Sequence, residues 1–190
     1  DSVSKIFNVS FEVSFNTVLE GGAAEPLYLP ANESDPAKVL FRDDYVSSAM
    51  HEISHWVIAG EKRRLQEDYG YWYETDGRDV VQQKEFELVE VRPQAVEWLL
   101  HRAAGLSFQV SVDNLALPEY DASPFRIAVE RQVAKFLDDN VRDAIPPRAM
   151  TFIRALLSYR GYEFESENQL FLWLAKSYDA LDECDFPINF

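Results

Sequence analysis

Residues 46–60 have the sequence VSSAMHEISHWVIAG, and this stretch carries the strongest structural signal in the chain. Its apolar residues recur at the 3.6-residue spacing of one helix face. We predict a helix over 44–59, with Asp43 or Asp44 capping its start and Gly60 its end. The apolar face consists of Val46, Ala49, Met50, Ile53, Trp56 and Val57.

His51 and His55 are separated by four residues, so a helix places them one turn apart on the same face. Two imidazoles in that arrangement can bind one transition-metal ion without distortion of the helix. Glu52 lies beside them around the helix, where a carboxylate can act as a general base on a metal-bound water. We therefore predict that this segment binds a divalent metal ion and uses it for chemistry.

Two histidines need a third ligand, and the candidates lie on a second helix predicted over 84–104. Glu90 is the preferred ligand, with Glu87 and His101 as alternatives, and Glu97 is expected to face water. Two histidines and one carboxylate serve zinc-dependent hydrolysis as well as ferrous oxygen chemistry, so the ligands alone do not select a reaction.

The remaining pattern predicts an α+β fold that is rich in helices and has a small sheet. A short first helix carries Phe7 and Phe11. An edge strand over 26–30 is bounded by prolines. Pro93 indicates either a kink in the second helix or a start near Arg92. The other predicted elements are strands at 38–41 and 108–112 and helices that begin at Ser123, at Pro146 and near residue 167. The expected inward-facing residues include Val89 and Leu137, and the last helix carries Leu172.

The charge and composition of the chain bear on which molecules it could bind and where it could act. Eighteen lysines and arginines against 33 aspartates and glutamates give a net charge of −15, which argues against nucleic-acid binding. That acidity either favours a cationic substrate or only aids solubility. Cys184 is the single cysteine, and neither a membrane span nor a signal peptide is recognisable. We expect one domain over 1–190 that acts as a cytoplasmic monomer.

Several other short motifs accompany the helix that carries the histidines. Considered jointly, they resemble the bacterial elongation factor P hydroxylase family, and the similarity extends from about residue 5 to about residue 175. The segments that carry the resemblance are 26–30, 47–60, 70–73, 76–79, 89–95 and 113–115.

This resemblance implies hydroxylation of the lysine of elongation factor P that carries an added β-lysyl group. It implies a metal-dependent enzyme with His51, His55 and Glu90 as ligands and Glu52 beside the metal. The implied fold is similar to that of zinc peptidases. Fe(II) with dioxygen as cosubstrate is the expected chemistry, and zinc is the alternative metal.

An aromatic and acidic segment downstream of the metal motif is predicted to shape the substrate pocket. Aromatic walls could hold an aliphatic lysine stem, and an aspartate could meet its ammonium group. The alternative is a surface hairpin whose aromatic residues pack on the core. Asp113 and Asn114 either line the same cleft or form a turn. The predicted pocket residues are Tyr71, Trp72, Tyr73, Asp76, Arg78 and Asp79.

Two other functions remain possible from the sequence. One is a zinc metallopeptidase with Glu52 as general base, which is the commonest use of the HExxH pattern. The other is a factor-binding module in which a closed four-ligand site holds a structural metal.

Overall fold

The fold is described by a computed structural model that covers residues 2–68, 77–114, 119–138 and 145–179. Within these ranges the chain is helix-rich with one small sheet, which confirms the predicted α+β class. The elements are α1 (Ser2–Phe15), β1 (Thr17–Ala23), β2 (Leu27–Leu29), β3 (Ala37–Arg42), α2 (Val46–Ile58), a 3₁₀ turn (Arg63–Leu65), α3 (Val80–Ala104), α4 (Ser123–Leu137), α5 (Pro147–Tyr159) and α6 (Glu167–Asp179).

The sheet has the order β1-β3-β2, with β3 in the centre. β1 runs parallel to β3, and β2 runs antiparallel to it, so the Pro-bounded strand lies at an edge as predicted. The sequence did not predict β1, whose second half contains two glycines. Buried and half-buried residues alternate along β3, and the side chains of Val39 and Phe41 point into the core beneath α2.

Helix α2 occupies the predicted position, but its ends are stabilised differently from the prediction. Tyr45, rather than Asp43 or Asp44, is the N-cap residue, and its side chain makes no capping hydrogen bond. The helix ends at Ala59 instead of using Gly60 as its cap. Arg148 from α5 donates hydrogen bonds to the carbonyls of Trp56, Val57 and Ala59, which satisfies acceptors that a helix end leaves unpaired.

Helix α3 is the longest helix and packs against α2, α4, α5 and α6. It begins at Val80, so the predicted alternative start near Arg92 is wrong. Asp79 and Gln82 form a reciprocal capping box that fixes the earlier start. Pro93 lies inside the helix, and Gly105 ends it with a φ of 77°, in the left-handed region that favours glycine.

The amino-terminal part of α3 buries polar residues and exposes apolar ones. Gln83, Glu87 and Glu90 are buried, whereas Leu88 is 77% exposed and Val89 is 53% exposed. The prediction that Val89 faces inward is therefore wrong. The hydrophobic pattern assigns the wrong face of the helix as buried here, because this part of the helix faces a polar site rather than the core.

The core is built around an aromatic cluster between α1, α2 and α5. The Phe7 ring centroid lies 5.1 Å from that of Trp56 and 5.8 Å from that of Phe152. The predicted helices α4, α5 and α6 are present, although Leu137 is only partly buried and Leu172 is 53% exposed. The predicted strand over 108–112 is wrong, since that segment has no regular secondary structure. None of the helices in the described ranges has the length and apolarity that a membrane span requires.

Candidate metal centre

Helix α2 presents both histidines on the side opposite its buried apolar residues. Met50, Ile53 and Val57 are buried in the core, and this orients the helix so that His51 and His55 point towards α3. Their Nε2 atoms lie 3.2 Å apart. The spacing of four positions therefore brings two ring nitrogens to one point, where both could bind the same metal ion.

Glu90 reaches the same point from α3 and is 3% exposed. Its Oε1 lies 3.3 Å from Nε2 of His55, and its Oε2 lies 3.9 Å from Nε2 of His51. Burial raises the pKa of the Glu90 carboxyl, but its hydrogen bond and attraction to His55, together with His51 and Gln94, bring the pKa below its usual value. The carboxylate is therefore held in the charged form that a metal ligand needs.

The three side chains fit a transition-metal ion in both spacing and chemistry. One ligand atom from each lies within 4.8 Å of the others. Bonds of ~2.0–2.2 Å to a tetrahedral ion place ligand atoms roughly 3.3–3.6 Å apart, close to the distances between these three side chains. Two imidazole nitrogens and one carboxylate oxygen are a donor set suited to zinc or ferrous iron.

Glu97 is buried beside His51, and this contradicts the prediction that it faces water. Its Oε2 accepts a hydrogen bond of 2.9 Å from Nδ1 of His51. Burial alone would lower the pKa of His51, but the charge and hydrogen bond of Glu97, with Glu90 and Glu52, raise it to about 10. Because Glu97 engages Nδ1, the other nitrogen of His51 is turned towards Glu90 and His55.

The other two candidates for the third ligand lie outside the cluster of possible ligands. Glu87 is buried on α3, and its Oε1 has no hydrogen-bond partner among the residues that the structure describes. Nδ1 of His101 donates a hydrogen bond of 3.0 Å to the backbone carbonyl of Glu97, and its ring meets Phe108 edge-on. Within the described part of the chain, Glu90 is thus the side chain that completes the group.

Glu52 lies between two cavities that reach the cluster. A small one is lined by His55, Tyr28 and Trp56 along with Glu52. A larger cleft of about 490 Å³ is lined by His51 and Glu97 as well as Glu52. Burial raises the pKa of the Glu52 carboxyl, although His51 and His55 act in the opposite direction.

The predicted substrate-pocket residues are only partly described by the structure. Tyr71, Trp72, Tyr73 and Asp76 lie outside the described residues. Arg78 is buried, and its guanidinium group lies 4.0 Å from the centre of the Phe86 ring. Asp79 caps α3 through hydrogen bonds to the backbone of Val81 and Gln82.

The sequence interpretation did not predict several other residues that line the large cleft. Arg42 and Tyr45 lie at one side of the cleft, and Phe86, Gln94 and Phe108 line it as well. Gln94 is fully buried, and its Nε2 lies 3.5 Å from Oε2 of Glu90. The available signal was the polar stripe of Glu90, Gln94, Glu97 and His101 along α3, from which we predicted Glu90 or His101 as a ligand and Glu97 as a residue facing water.

Comparisons with known proteins agree with this geometry. The family model described as Elongation factor P hydroxylase matches residues 6–171. A protein of Haemophilus influenzae named Elongation factor P lysine hydroxylase is 44% identical over 164 residues, which is 86% of this chain and 90% of that protein. The match includes the helices that carry both histidines and Glu90. The chain therefore belongs to the elongation factor P hydroxylase family.

Proposed function

We propose that this chain hydroxylates a lysine of elongation factor P, the lysine that carries an added β-lysyl group, at a metal ion held by His51, His55 and Glu90. The observation that carries the proposal is the convergence of these three side chains within a chain 44% identical to an elongation factor P lysine hydroxylase. The net charge of −15 suits a long cationic lysyl-lysine side chain.

Fe(II) is the proposed metal, with dioxygen as cosubstrate. A ferrous ion with two histidines and one carboxylate has open positions and supports oxidation by dioxygen. In the net reaction one oxygen atom enters a C–H bond of the lysine. The second oxygen atom is reduced to water by two electrons from an added reductant and two protons. Zinc remains the alternative occupant, since it accepts the same ligands.

The residues around the ligands have distinct proposed roles. Glu97 orients His51 through the hydrogen bond to Nδ1. Glu52 lines the cleft beside the ligands, where it can hold or receive a proton near the reacting carbon. Tyr71, Tyr73, Asp76, Arg78 and Asp79 remain proposed substrate-binding residues. For Arg78 and Asp79 the role is indirect, because their side chains are engaged with the protein itself.

The arrangement of elements supports a zincin-like organisation. Helix α2 carries HExxH, α3 carries the glutamate ligand, and a small sheet packs against α2. We further infer that residues 1–190 form one domain that acts on elongation factor P as a monomer in the cytoplasm and does not bind nucleic acid. The acidity of the chain supports the last point.

A zinc metallopeptidase is the second candidate, and the position of Glu52 favours it. Glu52 lines both cavities beside His51 and His55, where a general base of a metallopeptidase would lie. Cleavage of a peptide by the zinc-loaded protein, lost in Glu52→Gln, would establish this reading. The third reading, a closed four-ligand structural site, is less well supported because the cluster found among the described residues has three members.

The test is intact-mass analysis of β-lysylated elongation factor P after aerobic incubation with the protein, ferrous iron and ascorbate. We expect a gain of one oxygen atom that is lost in His51→Ala and in Glu90→Ala. Glu85→Ala, which removes an exposed carboxylate from the same helix, should retain the gain. An unchanged mass with the wild-type protein would reject the proposal.

A further inference from the structure

Residues 107–114 form one side of the large cleft, and we refer to them as the cleft wall. Ser107, Phe108, Gln109, Ser111 and Asp113 all line the cleft that contains His51 and Glu52. The wall has no regular secondary structure, so backbone hydrogen bonding within a helix or sheet does not hold it in place.

Buried side chains hold the backbone of the wall instead. Nη2 of Arg78, which is 1% exposed, donates hydrogen bonds to the carbonyls of Val112 and Asp113. Nε2 of Gln83 donates to the same Val112 carbonyl at 3.0 Å. Gln94 pairs with the backbone of Ser111, accepting from its N–H at 3.0 Å and donating to its carbonyl at 2.8 Å. A wall fixed by three buried polar residues is preorganised for binding.

The same network sets the directions of two neighbouring side chains. Asn114 is buried, and its Nδ2 donates hydrogen bonds to the Arg78 carbonyl and to Oε1 of Gln83. Asp113 has a φ of 42°, a left-handed conformation that costs about 1 kcal/mol or more for a residue with a side chain. Its side chain is exposed and lines the cleft.

The cleft combines aromatic and acidic groups. Phe86 and Phe108 line it, and Phe108 is held by stacking on Trp98 with ring centroids 5.2 Å apart. Three carboxylates line it as well, from Glu52, Glu97 and Asp113, against the single guanidinium of Arg42 among the described lining residues. Of these carboxylates, Glu97 is already hydrogen-bonded to His51. Aromatic side chains together with carboxylates match an aliphatic chain that ends in an ammonium group.

We propose that the cleft wall is the element that recognises the substrate and that Asp113 determines specificity by binding an ammonium group of a lysyl-lysine side chain. This inference rests on the proposed function, because it places the reacting part of the same side chain near His51, His55 and Glu90. An added β-lysyl group carries two ammonium groups, whereas an unmodified lysine carries one. Asp113 therefore favours the modified form of the factor.

The test is calorimetric binding of modified and unmodified elongation factor P to the full chain loaded with zinc. Zinc has no redox chemistry, so binding is measured without turnover. The quantity to compare is the affinity for the modified factor divided by the affinity for the unmodified factor. We expect Asp113→Asn to reduce this ratio about fivefold, the effect of a partly exposed ion pair worth ~1 kcal/mol. Asp113→Lys should reduce it by roughly tenfold or more, since like charges repel.

Two controls separate recognition from structure. Asparagine tolerates the left-handed conformation, so Asp113→Asn should melt at the wild-type temperature. Glu12→Gln removes an exposed carboxylate of α1 that does not line the cleft and should keep the wild-type ratio. The wild-type preference should weaken as salt is added, and the preference of Asp113→Asn should change less.

The outcomes distinguish this inference from the proposed function. An affinity ratio that is unchanged in both Asp113 variants, or a wild-type protein without preference, overturns the inference even where the iron-loaded protein hydroxylates the factor. A ratio lost in both variants supports the inference even where no oxygen is inserted, in which case the proposed function fails alone.

Discussion

In the amino-terminal half of α3, residues 80–92, the buried side chains are mainly polar, whereas in residues 93–104 they are mainly apolar. Gln83, Glu87 and Glu90 are buried in the first half, which leaves Leu88 and Val89 exposed. In the second half Gln94, Glu97 and His101 continue the polar stripe, and the buried apolar residues are Pro93, Ala95, Val96, Trp98, Leu99, Leu100, Ala103 and Ala104.

This contrast shows how one helix serves two purposes. The second half packs into the core, where burial of apolar area stabilises the fold. The first half faces a cluster of ionisable groups, and the buried carboxylate of Glu90 is compensated by hydrogen bonds and opposite charge instead. Inverted polarity on a helix therefore marks a site, and substitutions in the two halves should have different consequences.

The largest effect is expected for Glu90→Ala, which removes a proposed ligand. Metal affinity should fall by at least about 100-fold, beyond the 10–100-fold typical of residues that only support a ligand. The metal-free protein should remain folded, since the change also removes a buried carboxylate. Titration with Co²⁺, followed by its visible absorption, measures the affinity. Glu85→Ala is the matched control, and equal affinities for the two variants would exclude Glu90 as a ligand.

A smaller loss of metal affinity is expected for Glu97→Gln. The amide keeps the size of the side chain but replaces the charged acceptor that holds Nδ1 of His51. Affinity for Co²⁺ should fall by about 10–100-fold, because the orientation and basicity of the ligand are weakened. A Glu97→Gln variant with wild-type affinity would mean that this hydrogen bond does not support metal binding.

Leu99→Ala tests the second half of α3. Leu99 is fully buried in the core, so its truncation should lower the free energy of unfolding by about 3 kcal/mol. At a low temperature, where Leu99→Ala remains folded, it should bind Co²⁺ with the wild-type affinity. Urea denaturation of the metal-free protein measures the stability. A weakened metal site with unchanged stability would contradict the division between the two halves.

The smallest effect is expected for Leu88→Gln on the exposed side of the first half. The free energy of unfolding should stay within about 0.5 kcal/mol of the wild-type value, as for most surface substitutions. Metal affinity should also be unchanged. A marked loss of stability in the same urea experiment would show that this side of α3 is covered in solution.

The sequence predicted those features that depend on periodicity. The spacing of His51 and His55 within an amphipathic segment predicted the helix and the proximity of the two imidazoles, and the polar stripe on α3 led to Glu90, which lies beside them. Helices with conventional apolar faces, such as α4 and α5, were also found. In each case local spacing determines which side chains meet.

The features that depend on long-range partners were missed or wrongly assigned. Glu97 was expected to face water because nothing in the local sequence shows that His51 packs against it. Residues 108–112 look like a strand, yet their backbone partners include the side chains of Gln83, Gln94 and Arg78, which lie 17 to 34 positions earlier. Hydrophobic patterns contain no information about such tertiary hydrogen bonds.

The most direct test of the central claim, metal-dependent insertion of oxygen into elongation factor P, is isotope labelling. β-Lysylated factor is incubated with the iron-loaded protein and ascorbate under heavy-isotope dioxygen in ordinary water, and its intact mass is measured. We expect a gain equal to one heavy oxygen atom, and no such gain with His55→Ala. No gain, or a gain of ordinary oxygen drawn from water, would contradict it.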